Sequence, residues 1–258
     1  MTFVVAECGV NHNGDFETAL ALADAAKEAG ADAVKYQLFT SQRLWGDGRI
    51  KHLELSKSQI KDIKAYCKAI GIEFMCTPFD VESLEYLAEL KVERLKIASG
   101  CIADYDLLYA AYQTGLPVIL STGMSTMDEI EKALGMLAIN VTLLHCTSSY
   151  PCRLEDVHLN SMDALKVFKR PVGLSDHTTT ISVAIAAVAR GATVIEKHMT
   201  LDRNSKGPDH RSSITPRELK ALRLALIEVE AALGSSEKKV QPCEENLRKI
   251  WRSTARVS

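Results

Sequence analysis

A short apolar segment followed by a helix-length segment recurs eight times along the chain, and this repetition limits the possible folds more than any other feature. Strands that alternate with helices pack as a parallel sheet with the helices on its faces. Eight such units predict an α/β fold, a single-domain (β/α)8 TIM barrel in residues 1–234, with a linker-like tail in residues 235–258. The segments with strand character are Val4–Glu7, Ala33–Gln37, Glu73–Thr77, Arg94–Ala98, Pro117–Ser121, Val141–His145, Pro171–Leu174 and Thr193–Ile195.

Glycines mark the ends of the predicted helices, because glycine readily adopts the left-handed conformation that closes a helix. Gly30, Gly71, Gly115 and Gly191 each stand just before a strand-like segment. An open doubly wound sheet remains the alternative to the barrel, because eight strands do not prove closure. The first helix is not preceded by a Gly-x-Gly-x-x-Gly sequence, which argues against a dinucleotide-binding fold.

Composition excludes several classes of protein. The chain is 47% hydrophobic and 25% charged with a net charge of −2, so we expect a globular domain and no nucleic-acid partner. No apolar run approaches the roughly 20 residues of a membrane helix, and no basic segment precedes the first strand, so neither a membrane span nor a signal peptide is expected. The seven cysteines lack zinc-site spacing, which predicts reduced thiols in a cytoplasmic protein.

Two lysines, Lys35 and Lys96, lie in otherwise apolar strand-like segments. A buried ammonium without a partner is very costly, so each lysine needs an anion. One possibility is an internal ion pair with Glu7 or Glu196, and the other is a phosphate or carboxylate ligand. Small hydroxyl side chains at four strand ends favour the ligand, since with backbone amides they could form an anion cradle. They are Thr77, Ser99, Ser121 and Ser175.

His177 and His198 follow the last two strand-like segments, and a helix-length segment, Thr180–Arg190, lies between them. Parallel strands joined by one crossover helix are neighbours, so both histidines leave the same end of the sheet. Their imidazoles are then close enough to hold one metal ion. Imidazole with carboxylate and water suits Mn, Fe, Co or Zn better than Mg or Ca. Three further histidines are alternative ligands: His12, His145 and His210.

Motifs along nearly the whole chain carry a resemblance to a known family. The chain resembles the N-acetylneuraminate (sialic acid) synthases and their bacterial relatives for legionaminic and pseudaminic acids. The runs occur in the family's order from residue 4 to about residue 253 and together are highly specific. They are Ala6–Gly14, Lys35–Gln37, Thr77–Asp80, Lys96–Gly100, Ser121–Met124, Leu144–Pro151, Ser175–Thr178, Glu196–His198 and Gly207–His210.

This resemblance implies a metal-dependent condensation of phosphoenolpyruvate with the open-chain aldehyde of an N-acyl hexosamine, such as N-acetylmannosamine. The products would be a nine-carbon nonulosonic (sialic-type) acid and phosphate. By analogy, His177 and His198 bind a divalent metal, Mn²⁺ first, with Mg²⁺ or Co²⁺ as alternatives. The residues expected to hold phosphoenolpyruvate are Lys35, Thr77, Lys96, Ser99, Ser121, Ser148 and Ser175.

The resemblance also implies roles on the acceptor side. Glu7 would handle protons or the attacking water, and Asp209 would contact the sugar near the metal. Tyr150 would line the sugar site, and Asn11 and Gln37 are expected to bind substrate. A homodimer is the expected assembly.

The sequence departs from the family in three places. Cys101 stands where the family usually has a glutamate, and the loop from Thr40 to Leu53 is shorter than expected. Family members usually continue into a small antifreeze-like domain that supplies an arginine to the sugar of the partner subunit. No counterpart of that domain precedes Ser258, so we expect the sugar side of the site to be more open.

Two other functions remain open from the residues themselves. Lys96 could form a Schiff base, as in metal-independent aldolases, although the histidine pair would then have no task. Alternatively, the barrel binds a sugar phosphate or a protein without catalysis. The presence of Glu7, both lysines and both histidines argues against that reading.

Overall fold

A computed structural model of the protein describes residues 1–137 and 140–254. Eight parallel strands form one sheet. Their bounds are β1 Phe3–Gly9, β2 Ala33–Leu38, β3 Glu73–Pro78, β4 Leu95–Ile97, β5 Val118–Ser121, β6 Val141–Cys146, β7 Val172–Asp176 and β8 Val194–His198. Each strand coincides, within a few residues at its ends, with a segment predicted from the sequence.

Helices connect these strands and cover the outside of the sheet. The helices are α1 Phe16–Glu28, α2 Ser41–Trp45, α3 Lys57–Ile70, α4 Val81–Glu89, α5 Tyr105–Thr114, α6 Met127–Leu137, α7 Ser161–Leu165, α8 Ser182–Ala189, α9 Pro216–Leu233 and α10 Glu245–Thr254. Gly71 and Gly115 close α3 and α5 in the left-handed conformation, as their positions predict. Capping boxes begin α3 at Ser56 and α9 at Thr215, which satisfies the first amide groups of both helices.

The strand order distinguishes a barrel from an open sheet. The hydrogen-bonded order is β3-β2-β1-β8-β7-β6-β5-β4, so the first and last strands along the chain are neighbours. β3 and β4, at the two ends of this order, also lie side by side. The fold is therefore a nearly closed, single-domain (β/α)8 barrel, which confirms the predicted fold class.

The interior of the barrel is built in layers, because alternate side chains of every strand point inward. The layer near the amino ends is apolar and seals the bottom: Val5, Ala33, Met75, Ile119, Leu144 and Val194. Two residues further along the same six strands, the inward positions become polar: Glu7, Lys35, Thr77, Ser121, Cys146 and Glu196. The change from apolar to polar along each strand places the chemistry at the carboxyl ends.

Three segments differ from the sequence-based prediction. The loop after β2 contains α2 and a 3-10 turn at Lys51–Leu53, because Leu53 and its neighbours find an apolar cluster to bury against. The helix expected near residues 160–168 is divided into α7 and a 3-10 turn at Lys166–Phe168. The segment after Leu233, expected to hold no folded element, contains α10, although its described side chains are exposed.

Two further expectations concern cysteines and membranes. All seven cysteines are free thiols, as predicted, and six of them are buried. Throughout the described ranges, no helix combines the length and apolar character needed to cross a membrane.

Candidate active site

A cavity of about 490 Å³ opens at the carboxyl ends of the strands, above the apolar bottom of the barrel. In barrels of this kind the chemistry sits at that end. All but one of the site residues proposed from the sequence line the cavity: Glu7, Lys35, Gln37, Thr77, Lys96, Ser99, Ser121, Ser148, Tyr150, Ser175, His177, His198 and Asp209. The barrel therefore brings together side chains from positions 7 to 209.

Lys35 has internal partners on three sides of its ammonium group. It forms an ion pair with Glu7, donates a hydrogen bond to Thr77 Oγ1 at 2.9 Å and lies 3.7 Å from Glu196 Oε2. The ion-pair alternative considered for the lysines is therefore present in this structure. Burial alone would lower the pKa of Lys35, but Glu196 and Glu7 raise it above its usual range, so the side chain stays charged.

The positive charge of Lys96 has fewer nearby carboxylate partners than that of Lys35. Its ammonium donates to Ser121 Oγ at 2.8 Å and to the carbonyl of Ile97 at 3.2 Å, and Glu196 Oε1 lies 3.6 Å away. That carboxylate oxygen already accepts a hydrogen bond of 2.8 Å from Ser175 Oγ. Burial lowers the pKa of Lys96, and the attraction of Glu196 opposes this only in part. An anion bound in the cavity would give the Lys96 ammonium group a negatively charged partner of its own.

Glu7 and Glu196, the two buried glutamates of the cavity, differ in protonation. Burial would raise the pKa of Glu196, but Lys35 and Lys96 on either side lower it to about 2. Burial raises the pKa of Glu7 to about 7, against the attraction of Lys35. Two carboxyl groups whose environments push their pKa values apart are suited to different tasks. Glu196 remains an anion that orders the lysines, whereas Glu7 can take up or release a proton near neutral pH.

A pocket of small groups adjoins Lys96 on the side of β5 and β6. Ser99 Oγ accepts a hydrogen bond of 2.9 Å from the Gly123 amide and lies 3.5 Å from Cys146 Sγ. A β-carbon at Gly123 would collide with Ser148 Oγ and lie 3.0 Å from Ser99 Oγ. Glycine therefore allows the backbone at position 123 to approach both hydroxyl groups closely. Hydroxyl groups can donate hydrogen bonds to an anionic oxygen in the cavity.

The two histidines face each other across the ends of β7 and β8, with ring centroids 5.3 Å apart. His177 Nδ1 lies 2.8 Å from the carbonyl of Thr147, which requires a proton on Nδ1 and leaves Nε2 as an acceptor. His198 Nδ1 is buried without a hydrogen-bond partner, 3.5 Å from Asp209 Oδ2. Burial lowers the pKa of both imidazoles, so both are neutral.

These features fit a divalent metal ion. A metal needs neutral imidazole, and a histidine ligand typically donates its other ring N–H to a carbonyl or carboxylate, as His177 does to Thr147. The orphaned nitrogen of His198 is the kind of group that a ligand would satisfy. Within the described residues, no group of three or more His, Cys, Asp and Glu side chains is arranged to hold a metal. Substrate or water oxygens would therefore complete the coordination.

Three further polar residues proposed from the sequence line the cavity: Gln37, Tyr150 and Asp209. Burial raises the pKa of Asp209 to about 6, with an opposing effect from Lys35. The ring of Tyr150 lies 4.2 Å from that of His177 and 5.7 Å from that of His198, centroid to centroid. Gln37 lies 3.4 Å from Glu7 through its amide nitrogen. Asp209 and Tyr150 thus lie beside the histidine pair, whereas Gln37 lies beside Glu7.

Asn11 is the one proposed substrate-binding residue that does not line the cavity. Its amide nitrogen donates to the carbonyl of Met199 at 2.9 Å and to Ser213 Oγ at 2.8 Å, so it fastens the loop after β8 to β1. The alternative metal ligands are also directed elsewhere: His12 bonds the Gly14 amide, His145 the carbonyl of Val157 and His210 the hydroxyl of Thr200. Asn11 is held by a loop about 190 residues away in the chain, whereas each of these three histidines bonds a group within 12 residues of itself.

The cavity has a wall that sequence reasoning missed. Six apolar residues form it: Val10, Phe39, Leu44, Ile50, Leu53 and Phe79. They belong to the loops after β1, β2 and β3, and the rings of Phe39 and Phe79 meet edge to face at 6.1 Å. Their signal in the sequence is a set of large apolar residues in predicted loops at the reactive end. Arg49 lines the same side and pairs with Asp47 at 2.9 Å.

Two buried lysines, several hydroxyl groups and a neutral histidine pair at the carboxyl ends of the strands define a class of protein: a (β/α)8 barrel whose cavity is suited to a small anionic ligand. Within this class the sequence settles the family. The NeuB family model matches residues 22–238, and the chain belongs to that family. The resemblance inferred from the motifs is thereby confirmed.

Relatives of known sequence and structure agree with this assignment. The chain is 40% identical to N,N'-diacetyllegionaminic acid synthase of Campylobacter jejuni over 95% of this chain and 81% of that protein. It is 38% identical to human N-acetylneuraminate-9-phosphate synthase over 94% of this chain and 74% of that protein. The crystal structure of a sialic acid synthetase from Leptospira borgpetersenii, in complex with citrate, superimposes with a TM-score of 0.93 at 37% identity and covers 100% of this chain and 93% of that one.

Proposed function

We propose that this protein condenses phosphoenolpyruvate with the open-chain aldehyde of an N-acyl hexosamine, in a reaction that depends on a divalent metal. Carbon 3 of phosphoenolpyruvate forms a bond to the aldehyde carbon, whose oxygen takes up a proton. Water adds to carbon 2 of the donor, and phosphate leaves with breakage of a carbon–oxygen bond. The product is a nine-carbon 2-keto acid of the nonulosonic type. Relatives named as legionaminic and sialic acid phosphate synthases support this choice.

The main observation in favour of phosphoenolpyruvate binding is that the charge of Lys96 has no carboxylate of the described residues at hydrogen-bond distance. Its nearest carboxylate oxygen is 3.6 Å away and already bonded to Ser175, so the ammonium can accept a further anion. Ser121 and the pocket between Ser99 and Ser148 lie next to it. Fixed cations and hydroxyl donors over a multiply charged substrate stabilise it without reorganisation during the reaction. Lys35 and Thr77 extend the same floor toward Glu7.

On the acceptor side, His177 and His198 would hold the metal, Mn²⁺ by preference, with Mg²⁺ or Co²⁺ as alternatives. When bound, the metal supplies Lewis-acid polarisation of the aldehyde oxygen. Asp209 and Tyr150, which flank the histidines, would contact the sugar hydroxyls. The apolar wall would shield the reacting carbons from water and pack against the carbon chain of the acceptor.

Glu7 would carry the proton transfer. It lies between Lys35 and Gln37 at the floor of the cavity, and its pKa of about 7 allows both protonation states at neutral pH. A general acid or base works best when its pKa is near the working pH. Glu7 is therefore placed to accept a proton from the attacking water or to return one to the product.

A lysine Schiff base is the second candidate, and one observation favours it. Burial lowers the pKa of Lys96, and a neutral amine is the reactive form. Borohydride reduction in the presence of pyruvate, followed by mass spectrometry, would trap such an intermediate on Lys96. In a metal-dependent condensation, no adduct forms and chelation stops the reaction.

The decisive experiment measures phosphate release from phosphoenolpyruvate with a panel of N-acyl hexosamines. The protein is first treated with a chelator and then assayed with and without Mn²⁺. We expect phosphate release only when an acceptor and the metal are both present, and an equal yield of 2-keto acid. The variant His177→Ala/His198→Ala should lose the metal response, whereas His52→Ala, at an exposed position, should retain it. Release that needs no acceptor or no metal would contradict the proposal.

A further inference from the structure

A buried ion pair lies directly behind the two histidines. Lys197 Nζ is 2.7 Å from Asp176 Oδ2, and both side chains have an exposed fraction of 0%. Each residue precedes one of the histidines, so it points to the opposite face of its strand, away from the cavity. The pair therefore joins the outer faces of β7 and β8. It forms no hydrogen bond or ion pair with the residues proposed to hold phosphoenolpyruvate.

The pair begins where the backbone pairing of these two strands ends. The register of β7 and β8 runs from Leu174 opposite Ile195 to Asp176 opposite Lys197. β7 ends at Asp176, one residue before His177, whereas His198 is still within β8 and pairs with Glu7 of β1. The described backbone ladder between β7 and β8 thus stops one residue before the histidines. At that point the side chains of Asp176 and Lys197 connect the two strands.

Lys197 and Asp176 together hold the residue on the far side of His177. Lys197 donates to the carbonyl of Thr178 at 2.6 Å and lies 3.2 Å from its hydroxyl. Asp176 Oδ1 accepts a hydrogen bond of 2.8 Å from the amide of Thr178. Both neighbours of His177 in the chain are consequently bound to the residue that precedes His198. Few other arrangements could fix the position of one histidine backbone relative to the other so directly.

Stability alone is a poor reason for such a pair. Removing two charges from water is expensive, and replacing a buried ion pair by apolar residues of similar size is often neutral or stabilising. The seven strand ladders and the apolar core already hold the barrel together. In the described part of the chain, the side-chain hydrogen bonds of this pair reach only each other and Thr178, which points to a local task.

We infer that Asp176 and Lys197 are positioning residues that set the separation of the His177 and His198 rings and thereby the affinity for a divalent cation. This inference rests on the proposed function, in which the two histidines bind the metal. Partners one step removed from a metal ligand typically change its affinity by about 10- to 100-fold when they are lost. We expect a change of that size from the loss of this pair.

The test uses a double variant, because a single substitution would leave a buried charge without its partner. Asp176→Asn/Lys197→Met removes both charges and keeps the volumes similar. Binding of Mn²⁺ is measured by isothermal titration calorimetry on metal-free protein, together with the thermal midpoint. We expect the midpoint to stay close to that of the wild type while the Kd for Mn²⁺ rises about 10-fold or more.

A second, partly buried ion pair at the opposite end of the barrel provides the control. Arg94 Nε lies 2.6 Å from Glu73 Oε1 near the amino ends of β3 and β4. The variant Glu73→Gln/Arg94→Met should leave the Kd for Mn²⁺ unchanged, even if the midpoint falls. An unchanged Kd in Asp176→Asn/Lys197→Met would overturn the inference. Equal losses of metal affinity in both double variants would do the same, since they would report general destabilisation.

Two further measurements separate this inference from the proposed function. If wild-type protein binds no Mn²⁺, the proposed metal site fails, and crystal structures of wild type and double variant then decide the role of the pair. Displaced or disordered rings of His177 and His198 would support positioning, whereas unmoved rings would refute it. If the double variant does not fold, Lys197→Arg retains the charge but replaces the compact ammonium with a wider group, and it should weaken Mn²⁺ binding in the same assay.

Discussion

Individual buried charges set the chemistry of the cavity, and they act as a connected group. Glu196 lies within 3.7 Å of both Lys35 and Lys96, so its low pKa and the charge of Lys35 depend on each other. Glu7 belongs to the same group but keeps a pKa of about 7 because burial outweighs its cationic neighbour. A substitution at any one of these residues therefore shifts the pKa values of the others.

The first prediction concerns Lys96 and the donor. Lys96→Ala should raise the KM for phosphoenolpyruvate much more than the KM for the acceptor, because the ammonium is proposed to face the donor. A charge-assisted hydrogen bond is worth about 1.5–3 kcal/mol, or roughly 10- to 150-fold in an equilibrium constant. Steady-state phosphate release with each substrate varied in turn gives both constants. Lys132→Ala on the exposed face of α6 is the control, and donor kinetics unchanged by Lys96→Ala would remove this lysine from the site.

The second prediction concerns the pH dependence that Glu7 imposes. Because the pKa of Glu7 is raised to about 7, its carboxyl group becomes protonated as the pH falls through 7. If the ionised form accepts the proton, kcat/KM should decrease below about pH 7 with a slope of one. Glu7→Gln should lower kcat by about 10²- to 10⁴-fold and abolish this acidic limb. A variant that retains the same limb would show that another group titrates there.

At the scale of secondary-structure elements, close packing inside the barrel explains why β7 contains a glycine. A β-carbon at Gly173 would collide with the carbonyl oxygen of Val194 and lie 2.7 Å from the side chain of Leu144. The neighbouring strands β6 and β8 fill the space that a side chain would need. The close packing of β6, β7 and β8, which carry Cys146, Ser175 and Glu196, thus requires a glycine at position 173.

The third prediction tests this packing. Gly173→Ala should lower the free energy of unfolding by about 1–3 kcal/mol, the usual effect of adding volume to a well-packed core. Denaturant unfolding measures it. Gly135→Ala in α6 is the control, because the added methyl group meets no atom of the described residues within 4 Å beyond its own helix backbone and chain neighbours. Alanine favours a helix interior, so the control should be unchanged or more stable by up to about 1 kcal/mol. Equal effects at both sites would refute the packing argument.

At the scale of the whole molecule, the barrel and the segment after it differ in how they are held. α9 buries Leu219, Leu222 and Leu226 against the barrel, whereas every described side chain from residue 235 to 252 is exposed. The match to the family model also ends at residue 238. Among the described residues, α9 is thus the last helix that contributes side chains to the buried core.

The fourth prediction follows from this division. Protein shortened to residues 1–236 should keep its free energy of unfolding within about 0.5 kcal/mol, because exposed side chains contribute little. Its KM for phosphoenolpyruvate should match that of the full chain, since the donor groups all lie in the barrel. Denaturant unfolding and phosphate release test both statements. A large loss of stability would mean that α10 packs against the barrel in solution.

The sequence by itself determined the barrel and most of the polar residues of its cavity. Strand and helix periods are local properties, and the eightfold repeat leaves few topologies. Since alternate residues point inward and active sites sit at carboxyl ends, Lys35, Lys96 and Ser121 could be assigned to one cavity. The motif resemblance added residues from loops, such as Ser148 and Asp209, whose direction no periodicity predicts.

Only the tertiary structure decided how these groups share protons and contacts. The pairing of Lys35 with Glu7 and the raised pKa of Glu7 depend on burial and on distances across strands, which local sequence does not encode. Asn11 does not line the cavity, because its side-chain amide donates to a loop about 190 residues away in the chain. The apolar wall, and the tie between Lys197 and Thr178 behind the histidines, likewise exist only once closure of the barrel brings distant segments together.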